Sequence, residues 1–350
     1  MCHKSNLFLA ILSVLVSFMA VAKFNDGPYI YPDKNGYRAD LVCQGKKQSF
    51  LIKEDKTIDF CGRSMKLSLV PNAPTETVYS GTFPVVALSD IHGQHALMMQ
   101  LLKANKVIDQ HGNWIFGKGH LVITGDIFDR GSQVTESLWY IKWLESEAAK
   151  SGGAVHFLLG NHEVMVLNGD LRYLHKKYEQ TASLMNKPFD QLFSKDSVLG
   201  LWLRSKNVVI KINNNVYLHG GFHHETLKYD IGLEGINKVF REELVEQELR
   251  SKKRSQLGAF LHGRKGPIWH RGFFSEEHKV QLAPLLARFS ANRFIVGHTS
   301  HKAVISRHNG KVIGVDSSIK LGQKGELLFI EKDGYWRADM QGKRTPLFAN

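Results

Sequence analysis

Three short stretches constrain this chain more than any other feature: SDIHGQ (89–94), GDIFDRG (125–131) and GNHE (160–163). Each closes an apolar run and carries side chains that bind cations or protons: Asp90 and His92, then Asp126, then Asn161 and His162. Asp126 follows Asp90 by 36 residues, and Asn161 follows Asp126 by 35. That interval suits strand–helix–strand units, whose crossovers return every strand end to one edge of a sheet. Oxygen and nitrogen donors gathered on one edge are what a pair of metal ions requires. The spacing therefore predicts a dinuclear metal site, with hydrolysis as the chemistry that suits it.

The sequence between these stretches has matching periodicities. Val85 to Ser89, Leu121 to Thr124 and Val155 to Leu159 read as strands, and 94–103 and 133–150 as helices with apolar residues at helical spacing. Farther on, 208–212 and 216–219 flank Asn213-Asn214-Asn215, a hairpin signal. Residues 224–256 and 275–291 read as helical, and Phe294 to Val296 as a strand ending at Gly297-His298. Asn309-Gly310 and Asp333-Gly334 mark two more hairpins, so the second sheet is expected to be largely antiparallel. Residues 164–206 have a different texture and are expected to form a helical cap insertion. GNWIFGKG (112–119) nearly fits a P-loop, but Gly119 stands where Ser or Thr would hold magnesium, so it reads as a turn.

The N-terminal part divides differently. Residues 1–22 have a short polar start, an apolar core and Ala20-Val21-Ala22, the pattern of a signal peptide. Export to a periplasmic or secreted location follows, with no stable membrane anchor after cleavage. Residues 23–80 are rich in turns and short strand-like runs, including Met65 to Val70, and are expected to be a small β-rich extension. Residues 81–350 form the catalytic domain. Cleavage leaves Cys43 and Cys61, an even pair whose disulfide suits an oxidising compartment.

Composition adds a limit rather than an identity. With 43% hydrophobic and 23% charged residues, the chain is neither disordered nor fibrous. Lys4 is the sole charged side chain of residues 1–22, so the net charge of +13 becomes +12 without them. Such a balance favours anionic partners. The densest basic run, Arg250 to Arg254, lies in a segment with five Glu and reads as a solvated helix face, so no nucleic-acid partner is expected. A monomer is the expected state.

Two divalent ions about 3.5–4 Å apart activate a bridging water and clamp a phosphoryl group. The first ion wants Asp90, His92 and a carboxylate able to bridge, for which Asp126 is the candidate. The second wants neutral donors, and Asn161, His219 in LHGG and His298 in VGHT each follow an apolar strand. His162 is placed to protonate a leaving oxygen, with Asp129 to orient it. Arg130 and Arg271 (in GPIWHRGFF) offer planar forks for phosphate. His223 and His224 are expected to face solvent or surround the ligands. Such a donor set suits Mn, Fe, Zn, Co or Mg.

DIHG, GDIFDRG, GNHE, HGG and GHT, in this order, resemble the calcineurin-like metallophosphoesterases. The DRG and GNHE forms resemble the phosphoprotein phosphatase branch. GDLRY (169–173) and GPIWHRG (266–272) resemble the Shewanella-like bacterial phosphatases, a group with exported, cold-adapted, phosphotyrosine-preferring enzymes. The resemblance implies an α/β (α+β) fold of two packed mixed β-sheets flanked by helices. It implies Asp90, His92, Asp126, Asn161, His219 and His298 as ligands of two divalent ions, His162 with Asp129 as the acid pair, and Arg130 as a phosphate clamp. The implied activity is a phosphomonoesterase acting on a phosphorylated protein or peptide by in-line attack of a metal-bridging hydroxide. A phosphodiesterase or dinucleotide hydrolase on the same site is the alternative, and an inactive polyanion-binding protein is a second. Two positions depart from the pattern: Ser89 stands where Gly is usual, and His270 where Tyr is more frequent.

Overall fold

The computed structural model describes residues 23–52, 58–69, 74–275, 282–332 and 334–348. Residues 1–22, where the export signal is expected, lie outside the described residues, as does Asp333. Strands β1 (Asp26–Asp33), β2 (Gly36–Cys43) and β3 (Lys46–Ile52) form an antiparallel sheet, followed by the hairpin β4 (Ile58–Phe60) and β5 (Arg63–Met65). Of the strand expected over Met65 to Val70, Met65 ends β5, residues 66–69 are irregular, and Val70 lies outside the described residues. Cys43 and Cys61 are joined as a disulfide.

This extension shares the core of the rest of the chain. Tyr29, Ile30, Ala39 and Val42 are buried in one apolar cluster with Trp139, Phe193 and Trp202. Trp139 Nε1 donates to Pro28 O at 2.8 Å. The buried Asp26 carboxylate accepts from the hydroxyls of Tyr29 (2.7 Å), Thr135 (3.0 Å) and Thr181 (2.8 Å), and Lys177 Nζ lies 3.2 Å from its Oδ1, so the charge is both hydrogen-bonded and paired.

The expected alternation then appears: β6 (Val78–Tyr79), β7 (Val85–Leu88), α1 (His95–Ala104), β8 (His120–Ile123), α2 (Val134–Lys150) and β9 (Ala154–Phe157). Helices α3 (Asn161–Leu167), α4 (Lys176–Met185) and α5 (Val198–Arg204) follow, then the hairpin β10 (Val209–Ile212) and β11 (Asn215–Leu218). The remainder is α6 (Leu233–Glu242), α7 (Gln256–His262), α8 (Leu282–Arg288), β12 (Arg293–Val296), β13 (Ile305–Arg307), β14 (Val312–Gly314), β15 (Leu327–Glu331), β16 (Gly334–Ala338) and β17 (Arg344–Pro346).

Two six-stranded mixed sheets result, ordered β17-β16-β15-β7-β8-β9 and β13-β14-β12-β11-β10-β6. Between them lies an apolar layer with Val85, Ala87 and Val122 from one sheet and Ile210, Tyr217 and Ile295 from the other. The alternate residues Val86, Leu88 and Leu121 face the helices in the larger cluster. Strands buried on both faces explain the continuous apolar runs.

Three expectations need correction. The second sheet is not largely antiparallel: β6–β10, β11–β12 and β12–β14 pair in parallel, because none of these partners is joined to the next by a direct hairpin. Residues 164–206 are not simply a cap. Their first loop reaches the site through Tyr173, but Tyr178, Phe189, Phe193 and Trp202 are buried in the main core. The run from Arg250 to Arg254 is not a helix face, since α6 stops at Glu242 and Arg254 folds back onto Glu243 O and Glu246.

Candidate metal centre and active site

β7 and β8 run in parallel register from Val85↔His120 to Leu88↔Ile123, and their pairing continues past the strand ends. Asp90 N donates to Gly125 O (3.1 Å), His92 N to Asp126 O (2.9 Å) and Gly93 N to Ile127 O (2.9 Å). The two loops are thus zipped together, with Gly93 so close to Gly131 that a Cβ would lie 2.7 Å from its carbonyl oxygen. Asp90, His92, Asp126, Asp129, Arg130 and His298 have φ of 54°, 46°, 60°, 70°, 65° and 65°. Residues with a Cβ seldom adopt that left-handed backbone, and its concentration here marks a site held against local preference.

The predicted donors converge. Asp126 is shared by two groups whose ligand atoms lie within 4.8 Å of one another, one with His92 and His162 and one with His219 and His298. Asp90 Oδ1 joins the first at 3.8 Å from His92 Nε2, which is itself 3.6 Å from Asp126 Oδ2. In the second, His219 Nε2 lies 3.0 Å from Asn161 Oδ1, 3.1 Å from His298 Nδ1 and 3.2 Å from Asp126 Oδ2. All six predicted ligands are buried.

This arrangement fits metal ions. His92 and His219 use Nδ1 to donate to Phe128 O and Thr124 O, both at 2.6 Å, which turns the Nε2 lone pairs inward. Acceptor atoms then face acceptor atoms in a buried space, and a cation resolves that repulsion. Charges agree. Burial would depress the His219 imidazolium, yet the Asp126 carboxylate raises it to about 9. Burial would also raise Asp126, but His219, His162 and His92 hold it well below the carboxylate range. Burial, then Asp316 and Asp126, push Asp90 well up. The cluster therefore calls for positive charge, which a proton on His219 supplies in part and divalent ions supply fully.

His162 stands apart from the ligands by its partner. Its Nδ1 lies 2.5 Å from Asp129 Oδ2, leaving Nε2 to face the site 3.9 Å from Asp126 Oδ2. That is the geometry of an oriented general acid. Arg130 is exposed at the mouth, with its guanidinium 5.2 Å from the Tyr173 ring centroid. Arg271 differs from the free fork expected: Nη1 donates to His298 O, and Nη2 lies 3.4 Å from His298 Nδ1. That bond commits one of the five guanidinium N–H groups and leaves the others for a phosphate.

Glu163 is the residue that motif reasoning left without a role. Fully buried, it accepts from Asp126 N (2.8 Å) and Gly160 N (2.7 Å) on Oε2, and from Ile127 N (2.7 Å) and Phe128 N (3.2 Å) on Oε1. One carboxylate thereby holds the turn that presents Asp126. Ser89, the departure from Gly, donates to Asp90 Oδ2 at 2.6 Å and helps fix the ligand it precedes. His223, His224 and Glu225 form a third group of donors, but Glu225 already pairs with Lys265 and Lys228.

The family model for calcineurin-like phosphoesterases matches residues 83–302, more than half of the chain and spanning all six candidate ligands. The chain belongs to the calcineurin-like phosphoesterases. As a member it is a metallophosphatase hydrolase, and the family implies divalent metal ions. The chain is 31% identical over 253 residues to an uncharacterized protein of Schizosaccharomyces pombe, covering 69% of this chain and 75% of that protein. It is 27% identical over 341 residues to Shewanella-like protein phosphatase 2 of Arabidopsis thaliana, covering 80% of this chain and 83% of that one. Among solved structures it resembles the cold-active protein-tyrosine phosphatase of a psychrophilic Shewanella species: TM-score 0.88, 41% identity, and coverage of 93% of this chain and 100% of that chain.

Proposed function

We propose that the chain is a metal-dependent phosphomonoesterase that removes phosphate from phosphorylated protein or peptide, with preference for phosphotyrosine. The observation that carries the reading is Asp126 Oδ2 standing between two donor groups, beside a histidine acid oriented by its own carboxylate. Asp90, His92 and Asp126 would hold one ion, and Asp126, Asn161, His219 and His298 the other. Bound there, the ions supply Lewis acidity to the phosphoryl oxygens and to the attacking water.

The chain's own residues do the rest. Arg130 neutralises the outward phosphate oxygens, and Arg271 adds the N–H groups that His298 O does not take. His162 transfers the Nε2 proton to the leaving oxygen while Asp129 stabilises the ring that carries it. Preference for phosphotyrosine is supported by the Shewanella enzyme's name and by the aromatic ring of Tyr173 beside His162. The Cys43–Cys61 disulfide supports work in an oxidising compartment, in line with an exported chain.

The test is a substrate panel on protein reconstituted with each candidate metal: 4-nitrophenyl phosphate, bis(4-nitrophenyl) phosphate, and matched phosphotyrosine and phosphoserine peptides. Fast monoester cleavage with phosphotyrosine ahead is expected. Faster diester cleavage would replace this reading with a phosphodiesterase.

A further inference from the structure

Tyr173 contributes to the site in two separable ways. Its backbone carbonyl accepts from Arg130 N at 3.1 Å and so helps hold the clamp whatever the side chain is. Its ring stands 5.3 Å from the His162 ring at 47°, packs beside the Arg130 guanidinium, and remains 44% exposed. A large aromatic ring left this open beside a general acid is not serving the core.

Position assigns it a use. His162 delivers its proton to the leaving oxygen, so the space next to that imidazole is where the leaving group lies. Trp269, with its ring centroid 5.8 Å from that of His298, flanks the opposite donor group. We propose that Tyr173 is a specificity-determining residue, its exposed ring forming the stacking platform for an aromatic leaving group. This deepens the phosphomonoesterase reading above and rests on it.

Offset or edge-on aromatic pairs gain on the order of 0.5–1.5 kcal/mol beyond burial, which corresponds to roughly two- to tenfold in binding. A seryl leaving group presents only a methylene and gains little. Because the ring contact exists in ground and transition states alike, its loss raises KM and leaves kcat in place.

The experiment compares Tyr173→Phe, Tyr173→Leu and Tyr173→Ala on phosphotyrosine and phosphoserine peptides of one sequence, with thermal unfolding as the folding control. The expected result is near-normal kinetics for Tyr173→Phe. For the other two, KM should rise roughly two- to tenfold on phosphotyrosine, with kcat and the phosphoserine KM each within about twofold. A parallel kcat loss on both peptides would mean that the ring merely supports Arg130, and would overturn the inference. Unchanged KM on both would overturn it as well. Wild-type protein that cleaves no monoester strikes the phosphatase reading, and this inference falls with it; the two failures are distinct.

Discussion

His162 Nδ1 and Asp129 Oδ2 lie 2.5 Å apart in a buried pair, and the orientation this imposes points Nε2 at the space beside Asp126. The pair sets how much help a leaving group receives. Phenolate, with a conjugate acid near pKa 10, needs less protonation than an alkoxide. His162→Asn should therefore lower kcat on a phosphoserine peptide by roughly 10²–10⁴, and on phosphotyrosine by clearly less. Steady-state kinetics on matched peptides decides it, and equal losses would contradict the acid role.

Glu163 satisfies four backbone N–H groups with one buried carboxylate. Glu163→Gln replaces an acceptor with an amide whose NH2 meets donors, so a loss of about 2–4 kcal/mol is expected in urea unfolding. Metal affinity should fall with it, because the Asp126 turn loses its anchor. A change under about 0.5 kcal/mol would show that the turn holds itself.

Away from the site, His156 Nε2 meets His120 Nδ1 at 3.0 Å in a buried pair. Burial lowers His156 from the ordinary 6.5 to about 3, and His120 to about 4. The folded chain accepts these rings neutral, whereas the unfolded chain protonates them near 6.5. Their contribution is thus intact above pH 6.5 and is lost as pH falls toward 3–4. For His156 alone the loss is on the order of a few kcal/mol. Urea unfolding at several pH values should show a shallower acid slope for His156→Gln than for the wild type. Identical slopes would exclude the pair as the cause.

The Cys43–Cys61 bond spans 18 residues of sequence. Loop-closure entropy for such a span is worth roughly 3 kcal/mol. Reductant should lower the denaturation midpoint of the wild type and leave a Cys43→Ser/Cys61→Ser variant unmoved. Two thiols that alkylate without reductant would remove the basis for this expectation.

The convergence of the candidate ligands was legible because they cluster just past the ends of apolar strands, and parallel pairing of β7 and β8 then brings Asp90 and Asp126 together. His219 and His298 were legible for the same reason, through the parallel β11 and β12. Glu163 was visible as a letter of GNHE but not as a function, since its partners are backbone groups of a turn 35–37 residues away. The direction of β6 against β10, and the docking of Asp26 onto Thr135 and Thr181, depend on contacts distant in sequence. Periodicity carries no record of such pairings. The orientation of Arg271 toward His298 likewise lies beyond any pattern of residue types.

The central claim is that Asp126 joins two ion sites in one centre. Metal content per chain, measured by inductively coupled plasma mass spectrometry after stripping and reconstitution, tests it most directly when wild type and Asp126→Asn are compared at matched circular dichroism. Two ions in the wild type and a loss affecting both in Asp126→Asn is the predicted result. One ion or none in the folded wild type, or two retained after Asp126→Asn, would contradict it.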